Sequence, residues 1–252
     1  MGLGHYLKHR LTLLREAESL KEKFYLFEYF IKYPFQNHKY LFKKEILLKT
    51  KYGLFNGGRE ISGIWTVSSA HDPSVHKFLK HMNKGVFIDV GAHYGSMSIQ
   101  VGKQMLNHGK IIAIEPEPSY YNMLLKNIKL NRLNNIVAIQ NACSNKKGKI
   151  DITWYLLGRK KTKKIETVTI DEIVKKFKLK IVDIIKIDVE GMEDLVIEGA
   201  RKTIFKYKPQ LLFEANNAQD FKKVNNLLSQ LDYKVKKMDK NNYLGIYIKR
   251  KV

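Results

Sequence analysis

An α/β fold with a mostly parallel, doubly wound sheet is what this sequence predicts, and three observations predict it. From residue 74 onward, short apolar runs alternate with helix-spaced segments, the pattern of strands joined by crossover helices. Two of those runs, Val86 to Asp89 and Ile184 to Asp188, end in a carboxylate where a parallel sheet places its ligands. Between the first run and a helix starting at Ser96 lies a glycine-spaced turn, Asp89-Val-Gly-Ala-His-Tyr-Gly95.

Taken in order, residues 3–33 read as one helix, carried by Leu3, Leu7, Leu11 and Leu14 and then by Phe24, Tyr25, Phe27, Tyr29 and Phe30, with Pro34 as the stop. Its apolar face, flanked by Lys8, Arg10, Lys21, Lys23 and Lys32, suits packing on its own domain, on a second copy, or on a membrane surface. Strands are expected at 39–49 and 61–68 around a turn at Asn56-Gly57-Gly58. Residues 1–70 therefore read as an N-terminal helical and β cap, and 71–252 as the catalytic domain. Within that domain the spacing predicts helix 75–82, strand 86–90, helix 95–107, strand 110–115, helix 118–131 and strand 135–140. A β-rich excursion at 148–157 follows. Then come helix 169–178, strand 181–189, helix 192–206, strand 209–215 and helix 217–231. A terminal hairpin, 233–238 with 243–249, adds one antiparallel strand at the end of the sheet.

Lys and Arg number 46 against 24 Asp and Glu, a formal charge of +22 over 252 residues. Such a field favours anionic partners, and a lysine-rich solvated surface gives the same sum, so charge alone assigns no function. Cys143 is the single cysteine, which excludes an intramolecular disulfide and reads as a small buried hydrophobe. No secretory h-region and no bilayer-length apolar stretch are apparent, so the expectation is a soluble cytoplasmic protein, peripheral at a membrane if the first helix binds one.

The turn after Asp89 also selects among nucleoside ligands. A dinucleotide site wants G-x-G-x-x-G, whereas Gly91 and Gly95 are separated by Ala92, His93 and Tyr94, which leave little room for a diphosphate. That disfavours an NAD-dependent oxidoreductase. S-adenosylmethionine, with an adenosine and a zwitterionic amino-acid end, suits the turn better. Glu115 ends the next strand, at the distance where an acid grips ribose hydroxyls. Asp188 and Glu190 emerge at the end of a later strand, where they could bind a hydroxyl, act as general base or ligate a divalent metal. Glu193 reads as a helix-start acid, and Lys186, inside a central strand, is expected to pair with a neighbouring carboxylate.

With Asp89 to Gly95, Ala113-Ile-Glu-Pro-Glu-Pro118, Asn141-Ala-Cys-Ser144, Thr167 to Ile173, Lys186-Ile-Asp-Val-Glu-Gly-Met-Glu193, Glu198-Gly-Ala200 and Lys208 to Glu214, the chain resembles the FkbM-type methyltransferases over residues 72–216. The resemblance implies a Rossmann-like class I fold, S-adenosylmethionine as methyl donor, and O-methylation of sugar or natural-product hydroxyls. Carried over by position, it implies that Asp89, Gly91, Ala92, His93 and Gly95 hold the methionine end and Glu115 the ribose. Pro116 would pack by the adenine, Asn141 and Ala142 would bracket its edge, and Asp188 and Glu190 would face the sulfonium and the incoming hydroxyl. His93 stands where the family often has Asn.

Two further expectations concern the acceptor side. Asp188, Glu214 and an Asn (216 or 217) make an oxygen-rich set that by analogy suits magnesium. The basic run Arg159-Lys160-Lys161-x-Lys163-Lys164 could rim the substrate mouth and grip a phosphate or uronate, or form a solvated loop. The function expected is O-methylation of a glycan, glycolipid or sugar nucleotide. A nucleic-acid methyltransferase is the alternative that the charge suggests, although 188–191 lacks an Asn/Asp-Pro-Pro-Tyr element; a non-catalytic S-adenosylmethionine-binding module is the other. Nothing in the sequence sets the oligomeric state.

Overall fold

The computed structural model describes residues 14–15, 17, 19–32, 44–156 and 159–248. In chain order it contains helix α1 (Leu20–Lys32), a hairpin of β1 (Leu47–Thr50) and β2 (Gly53–Asn56), and helices α2 (Ile61–Val67) and α3 (Pro73–Leu79). An alternating run follows: β3 (Gly85–Val90), α4 (Ser96–Met105), β4 (Gly109–Ile114), α5 (Pro118–Leu130) and β5 (Ile136–Ile139). The short strand β6 (Ala142–Cys143) leads into a long ribbon of β7 (Gly148–Leu156) and β8 (Arg159–Val168). Alternation resumes with α6 (Ile170–Lys176), β9 (Ile184–Ile187), α7 (Glu193–Glu198), α8 (Arg201–Tyr207), β10 (Gln210–Glu214) and α9 (Ala218–Gln230), and ends in β11 (Tyr233–Lys237) and β12 (Asn242–Tyr247).

Seven strands form the central sheet in the order β11-β12-β10-β9-β3-β4-β5. β3, β4, β5, β9 and β10 pair in parallel, while β12 runs antiparallel to both of its neighbours. The expected antiparallel strand therefore exists, but it lies one place in from the edge. The chain leaves β3 on one side for β4 and returns on the other as β9, so the end of β3 is the topological switch point.

Side chains alternate across each strand and divide the core in two. Val86, Ile88 and Val90 face α6 to α9 with Ile112, Ile185, Ile187 and Phe213. Phe87 faces the other way, with Ile111, Ile184, Leu212, Met97 and Leu124. Leu48, Phe55, Ile64 and Val67, from the segment before residue 70, are fully buried in this second layer. The N-terminal hairpin is also tied to α5: Asn127 Oδ1 accepts from Asn56 N–H at 2.7 Å, and Asn131 Oδ1 accepts from Leu54 N–H at 3.0 Å.

Several sequence expectations are corrected. Residues 14–15 are helical but Ala17 is not, and Ser19 Oγ accepts from Glu22 N–H at 3.0 Å to start α1 afresh, so 3–33 is not one helix; residues 1–13 lie outside the described residues. Residues 61–67 are helix rather than strand, burying Ile64 and Val67 three apart. The hairpin turns at Lys51-Tyr52 instead of 56–58, where Thr50 Oγ1 accepts from Tyr52 N–H at 3.2 Å. Helix 192–206 is two helices, because Asp171 intervenes. Its backbone N–H donates to Gly199 O at 3.0 Å, and its carboxylate accepts from Lys202 and Thr203 N–H at 3.1 and 2.8 Å. Those bonds satisfy the amides that begin α8.

Candidate active site

A cleft of about 970 Å³ lies over the carboxyl ends of β3, β4, β9 and β10. Asp89, Glu115, Asp188 and Glu214 come from those four strand ends. The turn after β3 makes their convergence possible. Gly91 has φ +78°, its amide and that of Ala92 both donate to Ile114 O, and a Cβ on Gly91 would lie 1.8 Å from Asp188 O. Only glycine lets this turn pass so close to the end of β9. Gly95, at φ +85°, enters α4 with Leu124 packed where its side chain would be.

Asp89 is 1% exposed. Its Oδ2 accepts from Ser98 Oγ at 2.6 Å, while Oδ1 is buried without a hydrogen bond and lies 4.0 Å from Lys186 Nζ. Burial pushes its carboxyl up, against the pull of Lys186 and Ser98. Lys186 is buried as well, and its Nζ sits 2.9 Å from Asp188 Oδ2, so the expected pairing is present. Burial opposes the Asp188 charge, yet Lys186 and a hydrogen bond with Glu214 hold that carboxyl below its usual range. Glu214 goes the other way: burial, then the adjacent Asp188 charge, push it up to about 8. At neutral pH the pair is a carboxylate beside a carboxylic acid that donates to it. Asn241 Nδ2 completes the group, 3.4 Å from Glu214 Oε1 and 2.9 Å from Asn216 Oδ1.

On the other side of the switch point, Glu115 Oε2 accepts from His93 N–H at 2.7 Å and Oε1 from Glu117 N–H at 2.9 Å. Burial pushes this carboxyl up to about 8, only partly offset by those two amides. His93 has φ +51°, stacks on Tyr94 at 4.6 Å between ring centroids and meets Tyr120 at 3.8 Å with the rings tilted by 45°. Its Nδ1 is buried without a partner, and burial drives the imidazole down to about 3, so the ring is neutral. Pro116, Asn141 and Ala142 line the same end of the cleft, and Asn141 Nδ2 donates to Glu166 O at 3.0 Å. Glu190, at φ +56°, is exposed at the mouth; partial burial and the charges of Asp188 and Glu193 push its carboxyl up. Glu193 Oε1 accepts from the amides of Val189 and Gly191 and so shapes the loop.

The cleft brings together Gly91, His93, Glu115, Pro116, Asn141, Ala142, Asp188 and Glu190. Asp89 and Ala92 line a small recess behind it, and Gly95 supports the turn from below. Sequence reasoning missed the opposite wall: Glu60, Thr66, His71 and Asp72 from the N-terminal segment, Tyr120 from α5 and Trp154 from β7. His71 Nδ1 lies 3.4 Å from Asp72 Oδ2. No motif marks these residues; the only cue was the turn-like His71-Asp-Pro73. The basic run is a strand, not a loop, and among the described residues Lys160, Lys161, Lys163 and Lys164 do not line the cleft. Cys143 is buried, with burial pushing its thiol up. Among the described residues, no group of three or more His, Cys, Asp or Glu side chains could hold a metal ion.

Comparison with known proteins adds to this geometry. The family model of the methyltransferase FkbM domain matches residues 89–235. No curated protein matches the chain. Among solved structures, methyltransferase FkbM from Methylobacillus flagellatus KT is similar at 17% identity and TM-score 0.53, over 96% of this chain and 59% of that one. This chain thus spans less than two thirds of that protein's length. A candidate rRNA-methylase from Clostridium thermocellum is similar at 10% identity and TM-score 0.50, over 69% and 93% of the two chains. Likeness at such identities speaks to the fold alone.

Proposed function

The chain belongs to the FkbM methyltransferase family, and from that premise we propose that it methylates a sugar hydroxyl oxygen on a glycan, glycolipid or sugar nucleotide. S-adenosylmethionine dependence follows from the family; the oxygen acceptor is the proposal. The acceptor half of the reading is supported by Asp188 and Glu190 lining one cleft at the end of β9; the cofactor half is supported by the set of unsatisfied groups around the β3 turn. Asp89 Oδ1 and His93 Nδ1 are buried without hydrogen bonds, beside a glycine that holds the backbone open. Buried polar groups are left unpaired at a cost of about 1–3 kcal/mol each, a cost that a zwitterionic ligand end removes. The residues therefore fit S-adenosylmethionine.

In this reading Asp89 and the loop Gly91-Ala92-His93, set by Gly95, hold the methionine end. Glu115 keeps two backbone amides and turns its remaining lone pairs to the ribose. Pro116, Asn141 and Ala142 enclose the adenine. S-adenosylmethionine supplies, when bound, an electrophilic methyl group on its sulfonium. Asp188, held negative by Lys186, orients the acceptor hydroxyl rather than deprotonating it. Glu190, nearer solvent and pushed up, takes the hydroxyl proton on its carboxylate. A divalent ion fits poorly here, because Asp188 is engaged by Lys186 on one side and by the Glu214 proton on the other.

We also propose a cytoplasmic location, with the exposed Leu20, Phe24 and Phe27 of α1 as a face offered to a membrane surface or to a second copy. Among the described residues no helix is long and apolar enough to cross a membrane. The test is calorimetric binding of S-adenosylmethionine and NAD, with Asp89→Ala and Glu115→Ala as controls. The reading requires S-adenosylmethionine alone to bind, with affinity lost in both variants. NAD binding, or S-adenosylmethionine affinity unmoved by either substitution, would sink it.

A further inference from the structure

The charge of the cleft is opposite to that of the protein. Over a chain of formal charge +22, every Asp, Glu, Lys or Arg side chain that lines the cleft is a carboxylic acid. Among the described residues it carries no Lys or Arg. Lys186, in the recess behind, is committed to Asp188 and Asp89. With Glu115 assigned to the ribose and Glu117 engaged as the N-cap of α5, Glu60, Asp72, Glu190 and the Asp188–Glu214 pair remain around the acceptor, with Asp151 at the ribbon side. Burial, and after it the Asp188 charge, pushes up the carboxyls of both Glu214 and Glu190, so both lie within the field of that one negative charge. A cleft lined by one sign of charge concentrates that field, and an anion entering it meets repulsion and desolvation together.

A second observation concerns what the opposite wall offers. Trp154 in β7 lines the cleft, half-buried, and its indole Nε1–H is buried without an acceptor. Ile150, Ile152, Trp154 and Ile165 make the covered face of the ribbon, whereas Asp151 and Thr153 are exposed. Cross-strand partners share a face, which puts Lys161 opposite Trp154 and Lys163 opposite Ile152. Both lysines are exposed, and neither is paired with a carboxylate among the described residues. They stand outside the cleft lining. An aromatic wall with one orphan donor, facing carboxylates, matches a ring that carries both oxygen acceptors and a positive charge.

Building on the methyltransferase reading, we propose that the acceptor is an amine-bearing sugar. Its ring lies along Trp154 with an oxygen accepting from Nε1–H, its ammonium group sits among Asp72, Glu190 and the Asp188–Glu214 pair, and its hydroxyl is presented for methylation. This narrows the acceptor away from sugar nucleotides and uronates, whose charge the cleft opposes.

Three trisaccharides of similar size separate the cases: chitosan trimer (amine-bearing), chitotriose (neutral) and trigalacturonate (anionic). Each is titrated near pH 6 into the protein saturated with S-adenosylhomocysteine. Chitosan trimer is expected to bind about tenfold more tightly than chitotriose, and trigalacturonate most weakly. Glu190→Gln and Trp154→Leu should each weaken the chitosan trimer severalfold while S-adenosylhomocysteine affinity stays within about twofold. A net charge of +22 repels cations in general, so preferential binding of the amine reports the cleft. Equal binding of the amine and neutral sugars, tighter binding of the uronate, or no binding of any would overturn the proposal. Loss of S-adenosylhomocysteine binding from the parent protein would instead strike the methyltransferase reading beneath it.

Discussion

Lys186 occupies the centre of a parallel sheet, where an ammonium group survives only because two carboxylates meet it. Its Nζ is 2.9 Å from Asp188 and 4.0 Å from Asp89, all three largely removed from water. Removing one member of such a group leaves uncompensated buried charge, which costs about 3–5 kcal/mol. Lys186→Met should therefore lower unfolding free energy by about that amount in urea titrations, and adding Asp188→Asn should return part of the loss. If the double variant is no more stable than the single, the pair is not the cause. Gly91→Ala is harsher in kind: the new Cβ would lie 1.8 Å from Asp188 O, so β3 and β9 must separate. Its expected signature is loss of S-adenosylmethionine binding together with lowered thermal stability. Residues of this sort were legible in the sequence because each ends an apolar run or spaces a turn. Trp154, Tyr120, His71 and Asp72 were not, because a cleft wall needs only side chains that face the same space, and such proximity leaves no spacing to read.

Elements were legible where periodicity and capping agreed. Helix α6 begins at Thr169, whose Oγ1 accepts from Glu172 N–H at 3.1 Å while Glu172 Oε2 accepts from Thr169 N–H at 3.1 Å. Thr169→Ala should cost about 1 kcal/mol, and Glu172→Ala should add little more once the reciprocal box is broken. Where the signals conflicted, the reading failed. Ile61 to Val67 mixes β-branched residues and Trp in near alternation, yet Ile64 and Val67 share a buried side only in a helix. The 159–164 run looks like solvated loop by composition, yet it is held as strand by pairing with β7 from Gly148 to Leu156. Helix α1 shows a third case. Leu20, Phe24 and Phe27 recur at helical spacing and are 86%, 57% and 54% exposed. The membrane-surface reading predicts that the protein floats with vesicles containing anionic lipid and that Phe24→Ser with Phe27→Ser releases it. Flotation unaffected by the pair would exclude this face as the contact.

At the scale of the whole molecule, the buried titratable groups predict how stability depends on pH, and they pull in opposite directions. His76, stacked on Tyr52 and hydrogen-bonded to Gln100, and His93 are both driven down to about 3 by burial. Between that value and 6.5, the unfolded chain binds protons that the folded chain does not, so stability rises with pH and this contribution is complete above 6.5. Glu115 and Glu214 are driven up to about 8. Between 4.5 and that value the folded chain holds protons that the unfolded chain has lost, so their contribution falls as pH rises. The two trends oppose each other from 4.5 to 6.5, leaving a plateau there, with losses on the acid side from the histidines and on the alkaline side from the glutamates. Thermal melts across pH 4 to 9 should show that plateau in the ligand-free protein. Glu214→Gln should flatten the alkaline limb without moving the acid one, and His76→Gln should do the reverse. A cationic ligand adds a further constraint, because it favours the ionised carboxylates: with S-adenosylmethionine bound, the folded-state titration of Glu115 and Glu214 moves back toward 4.5, and the alkaline limb should flatten. An alkaline limb indifferent to both Glu214→Gln and the ligand would mean that Glu214 is already ionised at neutral pH and that no proton is shared between it and Asp188.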